Sequence, residues 1–349
     1  MKEDKQILVS LDYELFLGKN SGTVDNCIIN PTNRLLKILE PHHINAIFFI
    51  DTIYLIKLKE KSIDFPLAKQ DYLKIENQLK LLLEKGHYLF PHIHAHWMDA
   101  IYHEDSNTWN LSNFSRYRFH DVEDSLKDKL FHDSIQFLKD LIMPINGNYI
   151  IDSYRAGGWC IQPFDDFKPY FEKYNIINDF SVVRGLVSHS HLNFFDYRCD
   201  TKLMYSFHDD VIKESDGKFS EFTVSSIPTG KLEGLFYKLE SKILWVLRIK
   251  NFGDGNSIKF HTEKSRKGLP IMLSIDTLLL SIFQSHYNLI KKQPYIHFAS
   301  HPKMLSVYNI FLFKYLLKYT VKKYNVISDF REIKSTMQPK ANHMVEARS

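Results

Sequence analysis

Short apolar runs rich in β-branched residues alternate with amphipathic stretches along the chain, and most of the runs end in polar side chains. Ile7-Leu8-Val9-Ser10-Leu11 predicts a strand buried on both faces, which hands over to Asp12-Tyr13-Glu14. Asn30-Pro31 sets a cap residue before a proline at the first helical position, so a helix is expected to run to about Glu40 and stop before Pro41. Ala46-Ile47-Phe48-Phe49-Ile50 predicts a second strand. Tyr72, Ile75, Leu79, Leu82 and Leu83 fall close to a 3.6-residue period, predicting a helix over 71–85 that Gly86 closes. Tyr88 to Phe90 predicts a third strand, ended by Pro91, with His92, His94 and His96 following at alternate positions.

The same alternation continues. Asp121 is expected to cap a helix whose buried side shows Leu126, Leu130, Phe137, Leu138 and Leu141. Tyr149-Ile150-Ile151 predicts a strand that delivers Ser153-Tyr154-Arg155-Ala156-Gly157-Gly158-Trp159. Pro163 is expected to begin a helix ending near Tyr174, and a strand around Ile176 and Ile177 leads into Asp179-Phe180-Ser181-Val182-Val183. Residues 194–230 read as irregular strand, 235–247 as a helix, 251–268 as a polar loop and 276–287 as a helix. Tyr295-Ile296-His297-Phe298-Ala299 predicts a strand that hands on His301-Pro302. A long helix over 306–324 and a last strand over 326–328 complete the pattern. With no repeat, low-complexity tract or linker, one α/β domain over residues 1–334 is expected, with a flexible tail at 335–349. Strands alternating with helices, and polar residues just after strand ends, point to a parallel β/α barrel with its site at the carboxyl ends of the strands.

Composition narrows the picture only a little. Of 349 residues, 44% are hydrophobic and 25% charged, ordinary for a globular protein. A net charge of +4 without a long basic run does not argue for nucleic acid. Cys27, Cys160 and Cys199 are odd in number and widely spaced, which argues against a disulfide framework or cysteine metal site and fits a reducing compartment. The charged N-terminus carries no signal-peptide pattern. The most apolar stretches, 271–283 and 305–317, are short and carry Asp276 and Lys314, so no transmembrane segment is expected and the chain reads as cytoplasmic. The basic, apolar stretch from Phe236 to Lys250 reads as packed against the barrel, a membrane surface being the alternative.

Chemistry concentrates at the strand ends: Asp12 and Glu14, His92 and His96, Arg155, Asp179, and His301. Each group follows a different strand, so a barrel gathers them at one mouth. His92 and His96, spaced i, i+4, reach one side of a helical turn and can share a metal. Imidazole suits zinc, and a catalytic zinc needs a third ligand, often a carboxylate, which Glu14 can supply. If the segment stays extended, His94 replaces His92. Such an ion acidifies its water and polarises a carbonyl. Asp12 can then serve as general base, Arg155 can orient it, and His301 can protonate a leaving amine. His297 competes with His301 but reads as buried in its strand, and Trp97 and Trp159 read as core.

Taken together, these segments resemble the signature set of the polysaccharide deacetylase family, the NodB-homology domain of carbohydrate esterase family four. Ser10-Leu11-Asp12-Tyr13-Glu14 resembles the Asp-x-Glu variant of the first motif and implies Asp12 as base and Glu14 as metal ligand. Gly86-His87 to His96 is similar to the second motif and implies His92 and His96 as ligands. Tyr154-Arg155-Ala156-Gly157-Gly158 looks like the arginine motif that steers the base. Asp179-Phe180-Ser181-Val182-Val183 resembles Asp-Ser-Ser-Val, and Ser300-His301-Pro302-Lys303 the final motif, implying His301 as general acid. The resemblance spans about residues 6 to 330. It implies a distorted (β/α)7 barrel, TIM-barrel-like, with a divalent ion, zinc by preference, removing an N-acetyl or O-acetyl group from a sugar. A cytoplasmic glycan precursor is the expected substrate; a small cyclic imide, or sugar binding without turnover, are the alternatives. Glu14 stands where aspartate is usual, and Ala299 where leucine often lines the acetyl-methyl pocket.

Overall fold

The computed structural model describes residues 2–190, 192–198, 202–228, 230–256 and 270–336. Nine strands form one curled sheet: β1 (Asp4–Tyr13), β2 (Ala46–Asp51), β3 (Tyr88–Ile93), β4 (Ser153–Ala156), β5 (Asn178–Asp179), β6 (Met204–Phe207), β7 (Phe219–Phe222), β8 (Tyr295–Ser300) and β9 (Asn325–Ile327). Their order is β6-β7-β5-β4-β3-β2-β1-β8, with β9 beside the first residues of β1. Every pairing is parallel except β6 with β7. Past β7 the wall meets β8 through single bonds: Ser225 N–H donates to His297 O at 3.2 Å, and His297 N–H to Ser225 Oγ at 3.0 Å. This is the expected distorted α/β barrel.

The helices are α1 (Asn30–Leu39), α2 (Thr52–Lys61), α3 (Pro66–Glu84), α4 (Asp124–Ile142), α5 (Lys168–Tyr174), α6 (Lys231–Val246), α7 (Leu280–Lys292), α8 (Val307–Lys323) and α9 (Phe330–Ser335). Strands buried on both faces, such as β2 with Ile47, Phe48, Phe49 and Ile50, sit between barrel interior and helix layer. Register carries the strand-end residues into one ring. Leu11 is opposite Ser300, which sets Asp12 beside His301, and His92 is opposite Arg155.

Five expectations shift, the first being that Asp121 does not cap α4, which starts at Asp124, because its carboxylate accepts from Arg118 instead. Pro91 does not end β3 but lies within it. The β4-facing edge there is still open, since β4 first pairs at His92, so the missing proline N–H is not needed. Tyr149-Ile150-Ile151 is not a strand: Ile150 is exposed, and the Tyr149 hydroxyl caps that open edge, accepting from Leu89 N–H at 2.7 Å and donating to Leu89 O at 3.0 Å. Pro163 is extended and α5 starts at Lys168. Residues 273–279 are not helical, because the Asp276 carboxylate accepts from Ser274 Oγ at 2.6 Å and from His301 N–H at 3.2 Å. Helix α2, which the sequence reading did not foresee, starts at a cap made by Asp51, whose carboxylate accepts from Tyr54 N–H. Of the expected loop over 251–268, residues 257–268 lie outside the described residues, as do 337–349 of the expected tail.

Candidate active site

At the carboxyl ends of the strands a cavity of about 320 Å³ opens between Asp12, Glu14, His92, His94 and His301, with Phe16, Tyr117, Trp159, Met272 and Met304 among its walls. The size lies at the small end of the range for small-molecule pockets. Asp12 and Glu14 stand two residues apart at the end of β1, so their side chains share a face.

The histidines are sorted by backbone shape. The chain stays extended through β3 and into His94 (φ −107°, ψ 93°) before turning in the short 3₁₀ helix Ala95–Asp99. In extended chain the side-chain period is 2, so His92 and His94 face one side. Donor atoms of Glu14, His92 and His94 lie within 4.8 Å of one another. His96, expected from i, i+4 spacing, falls in the 3₁₀ turn and stands outside the cluster; burial pushes its imidazole well below the usual range. The helical turn that the spacing assumed does not form here.

The cluster fits a cation. His92 Nδ1 is 2.7 Å from Arg155 O, an acceptor only, so Nδ1 carries the proton and Nε2 offers a lone pair to the cluster. Glu14 Oε2 is 3.5 Å from His92 Nε2 and 2.8 Å from His94 Nε2, so the carboxylate faces both imidazoles at ion-pair distance. The three donor atoms thus face one another closely enough to turn to a single ion. Burial favours protonating Glu14, but Lys303, followed by His94, outweighs it and holds the carboxyl well below its ordinary range. The Lys303 ammonium donates to Glu14 Oε1 at 2.8 Å and to Leu15 O at 2.6 Å. Gly157 lets the arginine strand approach: a Cβ there would meet Ile93 O at 2.5 Å and His94 Nδ1 at 3.0 Å.

Asp12 is gripped from beneath. Arg155, fully buried, donates from Nη1 to Asp12 Oδ1 at 2.5 Å, from Nη2 to Ser10 Oγ at 2.6 Å and from Nε to Phe180 O at 3.1 Å. Its guanidinium lies between Phe49 and Trp159, 4.1 and 4.5 Å from the ring centres. Trp97 is core as expected, whereas Trp159 lines the cavity and adopts a left-handed backbone (φ 63°). Burial would raise the Asp12 carboxyl, but Arg155, His92 and His301 hold it well below the usual range, so it is ionised. The proton directions behind Arg155 are fixed. His297 Nδ1 faces Phe222 O at 3.2 Å and must donate, so Nε2 accepts from Ser10 Oγ–H at 2.7 Å, leaving the Ser10 oxygen to accept from Arg155. Burial lowers the His297 imidazole to about 3, and it stays neutral.

His301 lies across the cavity, Nε2 3.4 Å from Asp12 Oδ2 and Nδ1 3.3 Å from Asp276 Oδ2. Burial alone would lower it, but Asp12 and Asp276 lift it to about 10. Asp276 and Lys303 are the residues the sequence reading passed over; one sits in a non-periodic loop, the other in a segment named only for its histidine. Asp179 is not at the cavity. It accepts from Ser181 Oγ at 2.7 Å and Ser181 N–H at 3.1 Å, while Ser181 Oγ accepts from Ala156 N–H at 2.8 Å. Asp179 thus braces the loop after the arginine strand, and burial, opposed by its bond to Glu221, raises its carboxyl.

No family model and no curated protein matches the sequence. Among solved structures, 96% of the chain aligns with 90% of a structure described as a polysaccharide deacetylase from Mycobacterium smegmatis, at a TM-score of 0.50 and 11% identity. Weaker alignments include a 4-alpha-glucanotransferase from Thermococcus litoralis (TM-score 0.47, 11% identity, 97% of this chain and 39% of that one). A polysaccharide deacetylase from Bacillus cereus aligns at a TM-score of 0.37 and 11% identity, over 93% of this chain and 90% of that one. The first likeness is one of fold: the chain shares the curled α/β barrel of that structure.

Proposed function

We propose that the protein is a metal-dependent hydrolase that removes an acetyl group from a sugar. The observation that carries the proposal is the facing pair Asp12 and His301, 3.4 Å apart at the wall of a cavity that also holds the converging donors of Glu14, His92 and His94. A divalent ion, zinc for this nitrogen-rich set, would be held by those three residues and would polarise the acyl carbonyl and acidify water.

The chain's own groups supply the rest. Asp12, ionised and aimed by Arg155, takes the proton of the attacking water. His301, charged beside Asp12 and Asp276, gives a proton to the departing nitrogen, without which an amide anion would have to leave. Lys303 occupies Glu14 Oε1 and leaves Oε2 toward the two imidazoles. The aromatic walls, Trp159 and Tyr117, suit the apolar face of a sugar ring. We extend the proposal to a cytoplasmic precursor of a surface glycan, in keeping with the unpaired, buried Cys27 and Cys160; Cys199 lies outside the described residues. No helix among the described residues is long and apolar enough to cross a membrane.

The test is acetate release from a panel of N- and O-acetylated sugars, with cyclic imides alongside, after metal removal and after zinc return. Metal-restored turnover of an acetylated sugar, abolished in Asp12→Asn, supports the proposal. Turnover of imides alone, or none with any metal, overturns it.

A further inference from the structure

Helix α6 is amphipathic in the wrong sense for a helix packed on a core. Leu232, Leu235, Phe236, Leu239, Ile243 and Val246, a stripe at helical spacing, are all exposed, from 48% to 72%. Its two acidic residues are instead turned to the protein body. Glu240 accepts from Leu280 N–H at 2.8 Å, Ser281 N–H at 2.7 Å and the Tyr308 hydroxyl at 2.6 Å, and Glu233 accepts from Ser285 Oγ. The expected packing holds for one side only, which carries Glu233 and Glu240 with half-buried Tyr237 and Leu244, while the apolar stripe faces outward.

The apolar surface continues beyond α6. Leu280 is exposed next to Glu240, and on α8 the exposed Val307, Phe311 and Tyr315 follow each other at successive turns. The charges around it share one sign. Residues 231–250, α7 and α8 together carry eleven Lys and Arg against only Glu233 and Glu240, in a chain whose net charge is +4. Lys238, Lys242, Arg248, Lys250, Lys314 and Lys318 are exposed. Patches this apolar mark an interaction surface.

We propose that this α6–α8 face docks on an anionic lipid bilayer, with α6 lying in the interface plane and its apolar stripe in the headgroup–acyl boundary. Basic residues flanking an outward apolar stripe match an acidic, apolar-centred surface. Exposed Trp245 (76%) suits the same boundary. A symmetric second copy would set exposed Lys238, Lys242, Lys314 and Lys318 against like charges, which disfavours self-association through this face. Docking would also place the cavity close to the lipid. After α6, Phe252 N–H donates to Leu305 O at 2.8 Å and Gly253 N–H to Lys303 O at 3.1 Å, and Lys303 and Met304 line the cavity.

The test uses the full chain and two vesicle preparations, phosphatidylcholine alone and phosphatidylcholine with about one-third phosphatidylglycerol. Cosedimentation with the anionic vesicles only, and a blue shift of Trp emission lost in Trp245→Phe, are expected. Lys238→Glu with Lys242→Glu keeps the apolar stripe and should weaken partitioning about 25-fold or more, since each lost cation near the surface accounts for roughly fivefold. Phe236→Asp with Leu239→Asp should abolish it; circular dichroism confirms that each variant is folded. Absence of vesicle binding, or binding indifferent to the lysine reversals, overturns the proposal. So does a dimer in sedimentation velocity that Phe236→Asp with Leu239→Asp dissolves while vesicles go unbound, which would assign the face to a second copy.

Discussion

Replacing Asp276 by Asn should move the alkaline end of the pH profile without much change near neutrality. The acid in this reaction is protonated His301, so activity is present below its pKa and falls as pH rises through it. Two carboxylates hold the imidazole, Asp12 at 3.4 Å and Asp276 at 3.3 Å, and together they outweigh burial to bring it to about 10. An opposite charge within about 4–6 Å raises such a pKa by roughly 1–3 units. Asparagine keeps an acceptor for the His301 N–H but loses the charge, so the alkaline limb should fall by about 1–2 pH units, roughly 1.4–2.7 kcal/mol of lost support for the charged form. At neutral pH His301 would remain protonated, and turnover should change only a few-fold through looser positioning. The assay is kcat/KM for acetate release from an N-acetyl sugar across the neutral and alkaline range, wild type against Asp276→Asn. A limb that stays where it is, or a uniform drop at every pH, would refute the assignment of that limb to His301 and leave Asp276 a purely steric role.

Three further outcomes are expected. His94→Ala should weaken zinc affinity by at least ~100-fold, since even residues behind the ligands contribute up to that much, whereas His96→Ala should retain it; titration of the metal-free protein followed by calorimetry decides, and the opposite ranking would restore the helical reading. Asp12→Asn should keep the metal, by elemental analysis, yet lose about 100-fold or more in turnover. Lys303→Met should destabilise the metal-free protein by ~3 kcal/mol in urea unfolding, because Glu14 is left buried without its cation. The Glu14 pKa is depressed in the folded state, so its stabilisation is present above the ordinary carboxylate range and lost as pH falls toward the folded value. The gap between wild type and Lys303→Met should therefore narrow on acidification.

The sequence made the scaffold legible wherever burial imposed a period. The runs at β1, β2 and β8 are apolar because helices and barrel interior cover both faces, and their polar successors are Asp12 and His301. Legibility failed where a side chain, not periodicity, sets the backbone. The i, i+4 spacing of His92 and His96 carries no information on whether β3 continues past Pro91, and it does continue, because the neighbouring edge asks for no N–H there. Asp276 read as a helix start because its bond to His301 joins residues 25 apart, which no local window reports. Asp179 carried a motif-like setting but serves a turn, and Lys303 gave no signal beyond its neighbour.

The pairing of Leu11 with Ser300 also limits how such a site can vary over generations. Asp12 and His301 follow directly on two hydrogen-bonded neighbours, so their separation is a property of strand spacing and not of any loop. Point substitutions can adjust the acidity or reach of either group by degrees. A single-codon insertion or deletion within β1 or β8 cannot: it turns every later side chain of that strand to the opposite face, exchanging Asp12 for a core residue in one step. Length variation among descendants of this chain should therefore collect in the connections, such as the one between β7 and β8, and avoid the two strands altogether.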